Sequence, residues 1–167
     1  MPPVEVGNIA PALDLTLTDT AGNCHMLGEG LATGPTLIGI YKCSCQASKT
    51  IFPMLERLHQ KYQGDGLTVL GVSQDSPNVS RSFARRYGIT FPILIEPAGY
   101  PVSSQFDIFA TPTVYLIRPD QAVAFTTMGF LKPQINDLAA AVATALNLPP
   151  APITSEDEAG VPMFVPG

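Results

Sequence analysis

The sequence has 167 residues, with no tryptophan, only three cysteines and only 14 % charged residues. Three cysteines are too few, and odd in number, for a secreted disulfide framework, so at least one thiol should be free or variably paired. No apolar run reaches the roughly 18 residues of a membrane span, and residues 1–6 lack the pattern of a signal peptide. We therefore expect no membrane association and a cytoplasmic location, or export if a signal peptide has been removed.

Positive charge is also scarce, because nine Lys and Arg residues are outnumbered by 14 Asp and Glu residues and the net charge is −5. A nucleic-acid partner is therefore not expected. Hydrophobic residues make up 46 % of the chain, which is typical of a globular protein. The length favours a single domain with a full hydrophobic core.

Apolar residues follow two alternating patterns along the chain. Short continuous runs, typical of strands buried on both faces, occur at 37–41, 67–72 and 92–95. Helical spacing of apolar residues occurs at 51–62, 79–87 and 135–146, and a further short helix is predicted at 101–108. Antiparallel hairpins are predicted around the turns at 20–23 and 118–121. This order predicts an α/β fold whose mixed central sheet has helices on both faces and an N-terminal β-hairpin.

The end of the sequence differs in composition from the rest. We assign residues 1–148 to the domain and residues 149–167, which are Pro-rich and acidic, to a C-terminal tail. The stretch 161–165 is apolar, so we expect it to pack on its own domain or on a partner subunit. A homodimer is therefore left open.

The segment 41–49, with the sequence Tyr-Lys-Cys-Ser-Cys-Gln-Ala-Ser-Lys, lies where a buried strand leads into a helix. A thiol at Cys45 would meet unpaired backbone N–H groups and the positive end of the helix dipole, which favour the thiolate. Lys42 and Lys49 add positive charge nearby. A small buried residue that only fills the helix start is the alternative interpretation.

Four segments, at 7–15, 34–58, 69–92 and 110–117, resemble a known family in their order and spacing. They are similar to the thioredoxin-like superfamily that joins alkyl hydroperoxide reductase/thiol-specific antioxidant proteins with thiol-disulfide oxidoreductases of the cytochrome-maturation type. The resemblance implies a thioredoxin-like fold and a redox-active cysteine. It also implies a cis peptide bond before Pro112, in the sequence Ala-Thr-Pro-Thr.

The resemblance also sets the register of the site. In the oxidoreductase branch, a proline follows the first cysteine of Cys-x-x-Cys by eight positions, so Pro53 identifies Cys45 as the nucleophile. The second cysteine position then falls on Ser48, and the position of a proton-transferring glutamate falls on Ile51. The peroxiredoxin branch requires a hydroxyl three residues before its cysteine, where this sequence has Lys42.

Two neighbours of Cys45 have open roles. Cys43 is a candidate resolving thiol that would close a very small and strained disulfide ring with Cys45, or it is a strand-end residue that never pairs. Ser48 lies one helical turn from Cys45, so its hydroxyl would either donate to the thiolate or only fit the helix.

Gln46 and Thr111 complete the set of candidates. Gln46 would aim its amide at the site, or it is an exposed polar residue. Thr111, next to the predicted cis-proline Pro112, would offer its backbone to an extended substrate as an added strand does.

The function predicted from these residues is thiol-disulfide exchange through Cys45, with a protein or small-molecule disulfide as substrate and a thiol as reductant. Two alternatives are a peroxiredoxin-like hydroperoxide reductase that uses Cys45 and a non-catalytic binding domain of the same fold. No cofactor is expected. No metal is expected either, because His25 and His59 do not stand at metal-ligand spacing from the cysteine pair.

Overall fold

A computed structural model describes residues 4–154 and 158–167. The strands in this part of the chain are β1 (Thr16–Asp19), β2 (Cys24–Met26), β3 (Thr36–Tyr41), β4 (Thr68–Ser73), β5 (Ile93–Ile95), β6 (Thr113–Ile117), β7 (Val123–Met128), β8 (Phe130–Leu131) and β9 (Phe164–Val165). The α-helices are α1 (Gln46–Tyr62), α2 (Pro77–Tyr87), α3 (Pro101–Phe106) and α4 (Lys132–Ala145). Among these residues, no helix is both long and apolar enough to span a bilayer.

Seven strands form one mixed sheet in the order β2-β1-β5-β4-β3-β6-β7. Strands β3, β4 and β5 are parallel, whereas β6 and β7 continue the sheet in antiparallel pairing. The hairpin of β1 and β2 forms the other edge. This topology confirms the predicted mixed sheet with an N-terminal hairpin.

The sheet separates two hydrophobic clusters, because successive residues of a strand point to opposite faces. Leu37 and Tyr41 of β3 belong to the cluster that also contains residues of α1, α2 and α4. Ile38 and Ile40 belong to the opposite cluster, which contains residues of α3. Helices therefore cover both faces, as predicted.

The packing of α1 depends on two glycines in neighbouring strands. Gly39 of β3 and Gly71 of β4 are directly paired in register. A Cβ atom at either position would lie 3.1–3.3 Å from side chains of α1, with the Phe52 ring among them. The missing side chains let Phe52 approach the sheet, where the centroid of its ring lies 4.0 Å from the centroid of the Tyr41 ring. This contact sets the position of α1 on the sheet.

Strand register brings three chain segments to one edge of the sheet. Tyr41, the last residue of β3, pairs with Ser73, the last residue of β4. On the other side, Ile40 pairs with Thr113, the first residue of β6. The residues that follow β3 and β4 and those that precede β6 therefore meet at this edge.

Two details differ from the sequence predictions. Helix α3 ends at Phe106 rather than 108, because Asp107 adopts a left-handed conformation with φ 51° and closes the helix. The two-stranded sheet of β8 and β9 was not predicted, since two-residue strands have no detectable periodicity.

His25 of the N-terminal hairpin lies between two carboxylates. Its Nε2 atom is 2.7 Å from Oδ2 of Asp19, and its Nδ1 atom is 2.9 Å from Oε1 of Glu29. Burial disfavours the charged imidazole, but both carboxylates outweigh it and raise the pKa of His25. Burial likewise opposes ionisation of Asp19, but hydrogen bonds from His25 and two backbone amides lower the pKa of Asp19.

We expect His25 to make stability depend on pH. A raised pKa in the folded state stabilises the protein fully below the unfolded value of about 6.5, and this stabilisation is lost as the pH rises through the folded value. Replacing His25→Gln should therefore cost more free energy of unfolding in slightly acid than in slightly alkaline buffer. Urea unfolding of both proteins measures this difference, and equal costs in the two buffers would contradict it.

Candidate active site

Cys45 is the residue that immediately precedes α1. Its backbone is extended, with φ −77° and ψ 125°, and its carbonyl accepts a hydrogen bond from the Lys49 amide at 3.1 Å. The side chain is half-buried, and its Sγ donates to the carbonyl oxygen of Thr111 at 3.3 Å. The predicted nucleophile thus lies at a helix start and beside the loop that precedes β6.

That loop contains the peptide bond between Thr111 and Pro112, which is cis as predicted. Pro112 is buried, and its carbonyl accepts a hydrogen bond from the Gly129 amide at 2.8 Å. Thr113 anchors the loop further, because its hydroxyl donates to the Ala110 carbonyl at 2.7 Å. The Thr111 carbonyl is therefore held in place next to the Cys45 thiol.

Cys43 lies in a different environment, although it is only two residues from Cys45. Its side chain is buried, with Sγ 3.9 Å from the Ser73 hydroxyl. Its backbone amide donates to Oδ2 of Asp75 at 2.7 Å. Both cysteines are free thiols in the structure, and their sulfur atoms contact different partners.

Burial and the Asp75 carboxylate together raise the pKa of the Cys43 thiol to about 11. Burial also raises the pKa of the neighbouring Tyr41 hydroxyl. At neutral pH, Cys43 is therefore a neutral thiol, which is neither a nucleophile nor a metal ligand in that form.

Ser48 and Gln46 differ in exposure. Ser48 is fully buried, and its hydroxyl has no hydrogen-bond partner among the described residues. A buried hydroxyl without a partner has a desolvation cost. Gln46 is exposed and begins α1, so its side chain faces solvent.

Lys42 lines an open cavity of about 310 Å³ beside the cis-proline loop. The side chain is exposed, and it supplies positive charge to this opening. The other residues that line the cavity are Gln74, Ile108, Phe109, Ala110, Thr111 and Gly167.

Three residues of the site were missed by sequence reasoning. Ser73, Gln74 and Asp75 end or follow β4, and they contact Cys43 or line the cavity beside Thr111. The sequence did show that these residues end or follow a buried strand, and the carboxyl ends of adjacent parallel strands meet at the same sheet edge. The sequence pattern did not show which strands are adjacent, and this prevented the inference. Gly167 is a fourth residue that was missed, and no feature of the sequence indicated that it lines this cavity.

The three thiols should differ strongly in their reaction with iodoacetamide. We expect Cys45 to be labelled faster than exposed Cys24 near neutral pH, because it lies at a helix start. Cys43 should be slowest, since a pKa of about 11 leaves only about one thiol in 10⁴ ionised at pH 7. Mass spectrometry of the labelled peptides measures all three rates. Equal labelling of Cys43 and Cys45 would contradict this order.

Asp75→Asn provides a matched test for Cys43. The amide oxygen can still accept from the Cys43 N–H, while the negative charge is removed. Labelling of Cys43 should therefore move to lower pH in this variant, and labelling of Cys24 should not change.

Within residues 4–154 and 158–167, no group of His, Cys, Asp and Glu side chains is arranged to hold a metal ion. The described site thus consists of a half-buried thiol at a helix start, a cis-proline loop and a lysine-lined opening. This combination of sheet topology and site defines a thioredoxin-fold domain with a half-buried cysteine at the start of α1. Residues 6–126 match the AhpC/TSA family, and the chain belongs to that family.

The comparisons agree on fold and point to redox proteins. Thiol-disulfide oxidoreductase ResA of Geobacillus kaustophilus (strain HTA426) is 31 % identical over 115 residues, which cover 68 % of this chain and 64 % of ResA. The chain therefore spans less than two thirds of that relative.

Two solved structures have the same fold at lower identity. A secreted Mycobacterium tuberculosis disulfide oxidoreductase homologous to E. coli DsbE has a TM-score of 0.68 and 18 % identity, over 80 % of this chain and 97 % of that one. Peroxidoxin BcpB from Mycobacterium tuberculosis has a TM-score of 0.71 and 20 % identity, over 91 % and 99 %. Since one fold carries both chemistries, the site must distinguish them.

Proposed function

We propose that the protein catalyses thiol-disulfide exchange through Cys45. The observation that carries this proposal is the position of the Cys45 thiol, half-buried at the start of α1 and 3.3 Å from the Thr111 carbonyl. The similarity to ResA, whose name describes a thiol-disulfide oxidoreductase, supports it. The substrate would be a protein or small-molecule disulfide, and a thiol would be the reductant.

In the first step, the Cys45 thiol, which donates to the Thr111 carbonyl, gives its proton to water, and the thiolate attacks one sulfur of the substrate. A new bond forms between Sγ and that sulfur while the substrate disulfide breaks. The departing thiolate takes up a proton from water. Cys45 is then held in a mixed disulfide with half of the substrate.

The second step needs another thiol. Ser48 occupies the position one turn along α1, so no thiol is available there. Cys43 is buried against Ser73, and its raised pKa leaves it largely protonated at neutral pH. An external thiol, which a reducing cytoplasm would supply, is therefore the reductant we propose, with Cys43 as the alternative.

The peroxidase alternative is less well supported by the contacts of Cys45. The sulfur faces a carbonyl oxygen, which is an acceptor, whereas peroxide cleavage needs donors aimed at the peroxide oxygens. Lys42 supplies positive charge at the opening, whereas the hydrogen bond of Sγ goes to the Thr111 carbonyl.

The test is to treat the reduced protein separately with oxidised glutathione and with hydrogen peroxide, and to map the products by mass spectrometry. We expect a glutathione adduct on Cys45 to form readily, while sulfenic acid forms no faster than on a free thiolate. Fast formation of sulfenic acid would support the peroxidase instead. If Cys45 reacts with neither compound faster than a peptide thiol, the domain is a non-catalytic binding module.

A further inference from the structure

Residues 158–167 of the tail lie against the domain. Oε1 of Glu158 is 2.9 Å from the Arg57 guanidinium of α1. The Met163 carbonyl then accepts a hydrogen bond from the Lys132 amide at 2.8 Å. Next, β9 pairs in antiparallel register with β8 and lies against α1. The tail is thus held by an ion pair, by backbone hydrogen bonds and by strand pairing.

Apolar contacts support this position. Val161 and Val165 are partly buried against the hydrophobic cluster under α1, and half-buried Cys45 packs against the same cluster. Phe164 remains 60 % exposed. The tail therefore approaches the nucleophile along the face of the domain that carries α1.

Gly167 reaches the cis-proline loop. A Cβ atom on Gly167 would lie 2.6 Å from the Thr111 carbonyl oxygen, which is closer than any real contact of this kind. The Cys45 thiol donates to that same oxygen. On the other side, a Cβ atom on Gly129 would lie 3.1 Å from the Gly167 nitrogen. Gly167 is therefore fitted closely between Gly129 and Thr111, beside the nucleophile.

This position matters because a polypeptide substrate would bind by pairing its backbone with the Thr111 segment. The tail already occupies space against the carbonyl of Thr111. The opening beside Lys42 has a volume of about 310 Å³, at the low end for ligand sites, and it is lined by Thr111, whose carbonyl the Cys45 thiol contacts. The charge of Lys42 would favour a disulfide compound that carries carboxylates.

We propose that residues 164–167 cover the polypeptide-binding edge beside Cys45 and make the site selective for low-molecular-mass disulfides such as oxidised glutathione. A protein disulfide reacts only after this segment moves away from Thr111. The inference rests on the proposed exchange reaction at Cys45, and the chemistry of the attack is unchanged by it.

Gly167→Ala tests the inference in the full chain, because the added methyl group cannot fit against the Thr111 carbonyl and the segment must shift. Gly64→Ala is the matched control, since a Cβ atom there meets nothing within 4 Å. Two rate constants are measured for Cys45, one with oxidised glutathione and one with an extended synthetic peptide that carries a disulfide.

The ratio of the peptide rate constant to the glutathione rate constant should rise about tenfold in Gly167→Ala. A rise of this size is expected if the segment covers the site about nine-tenths of the time and is displaced in the variant. Deleting residues 164–167 should raise it at least as much, and Gly64→Ala should leave it unchanged. An unchanged ratio in both tail variants would overturn the inference.

Alkylation separates this outcome from a failure of the proposed function. Iodoacetamide and a peptide-linked maleimide differ in size but need no exchange chemistry. If the tail covers the edge, Gly167→Ala accelerates labelling of Cys45 by the large reagent more than by the small one, even if Cys45 exchanges with no disulfide. Equal acceleration would contradict the covering role.

Discussion

Replacing Cys45→Ser is expected to lower the rate at which the protein catalyses reduction of a small mixed disulfide by glutathione by at least about a thousandfold, because a hydroxyl cannot replace the thiolate nucleophile. The fold should survive, since the serine hydroxyl can still donate to the Thr111 carbonyl. The measurement is steady-state turnover, together with a thermal unfolding curve that confirms the folded state.

Two matched variants accompany this experiment. Cys24→Ser changes an exposed thiol of the N-terminal hairpin and should leave turnover unaltered. Cys43→Ser distinguishes the two proposed routes for the second step: turnover persists if an external thiol resolves the mixed disulfide and fails if Cys43 does so. Activity that persists in Cys45→Ser would refute the assignment of the nucleophile.

Replacing Ser48→Cys is expected to change the oxidised product from a glutathione adduct to an internal disulfide with Cys45. Residues three apart on a helix have Cβ atoms about 5–6 Å apart, and small rotations bring such a pair within disulfide reach. A second thiol in the same molecule attacks the mixed disulfide far more often than a thiol in solution, because its effective concentration is higher. After treatment with oxidised glutathione, peptide mapping should show the bond between residues 45 and 48.

The environment of Ser48 favours this substitution. Its hydroxyl is buried without a partner among the described residues, and a thiol has a lower desolvation cost than a hydroxyl. Ser48→Ala is the control, because alanine is about as small as serine and cysteine but has no thiol. The oxidised product of this variant should remain the glutathione adduct. If the Ser48→Cys protein forms only the glutathione adduct on Cys45, the thiol at position 48 does not reach the Cys45 sulfur.

Much of the fold followed from local patterns. The apolar runs that became β3 and β4 and the helical spacing of α1 contain enough residues to define a period. The short strands β8 and β9 contain two residues each and define none. Their pairing joins residues more than thirty positions apart, and this depends on where the tail meets the domain.

The features of the candidate site also fall into two groups, those predicted from the sequence and those that only the tertiary structure shows. The place of Cys45 at a helix start was predicted from its neighbours along the chain, whereas the cis peptide bond before Pro112 was predicted from the resemblance to the family. The hydrogen bond between Cys45 and Thr111 joins residues 66 positions apart and required the order of the strands. The same holds for Asp75, which acts on Cys43 across adjacent strands.

The sequence by itself predicted Cys45 as the nucleophile, placed Ser48 at the second position of the motif by resemblance to the family, and determined an α/β fold. Only the tertiary structure decided that Cys43 is buried with a raised pKa, and that the end of the tail lies against Thr111. The physical reason is that secondary structure and helix-end chemistry arise from neighbours in the chain. Burial, charge at a distance and the covering of a site arise from segments that meet only when the domain is folded.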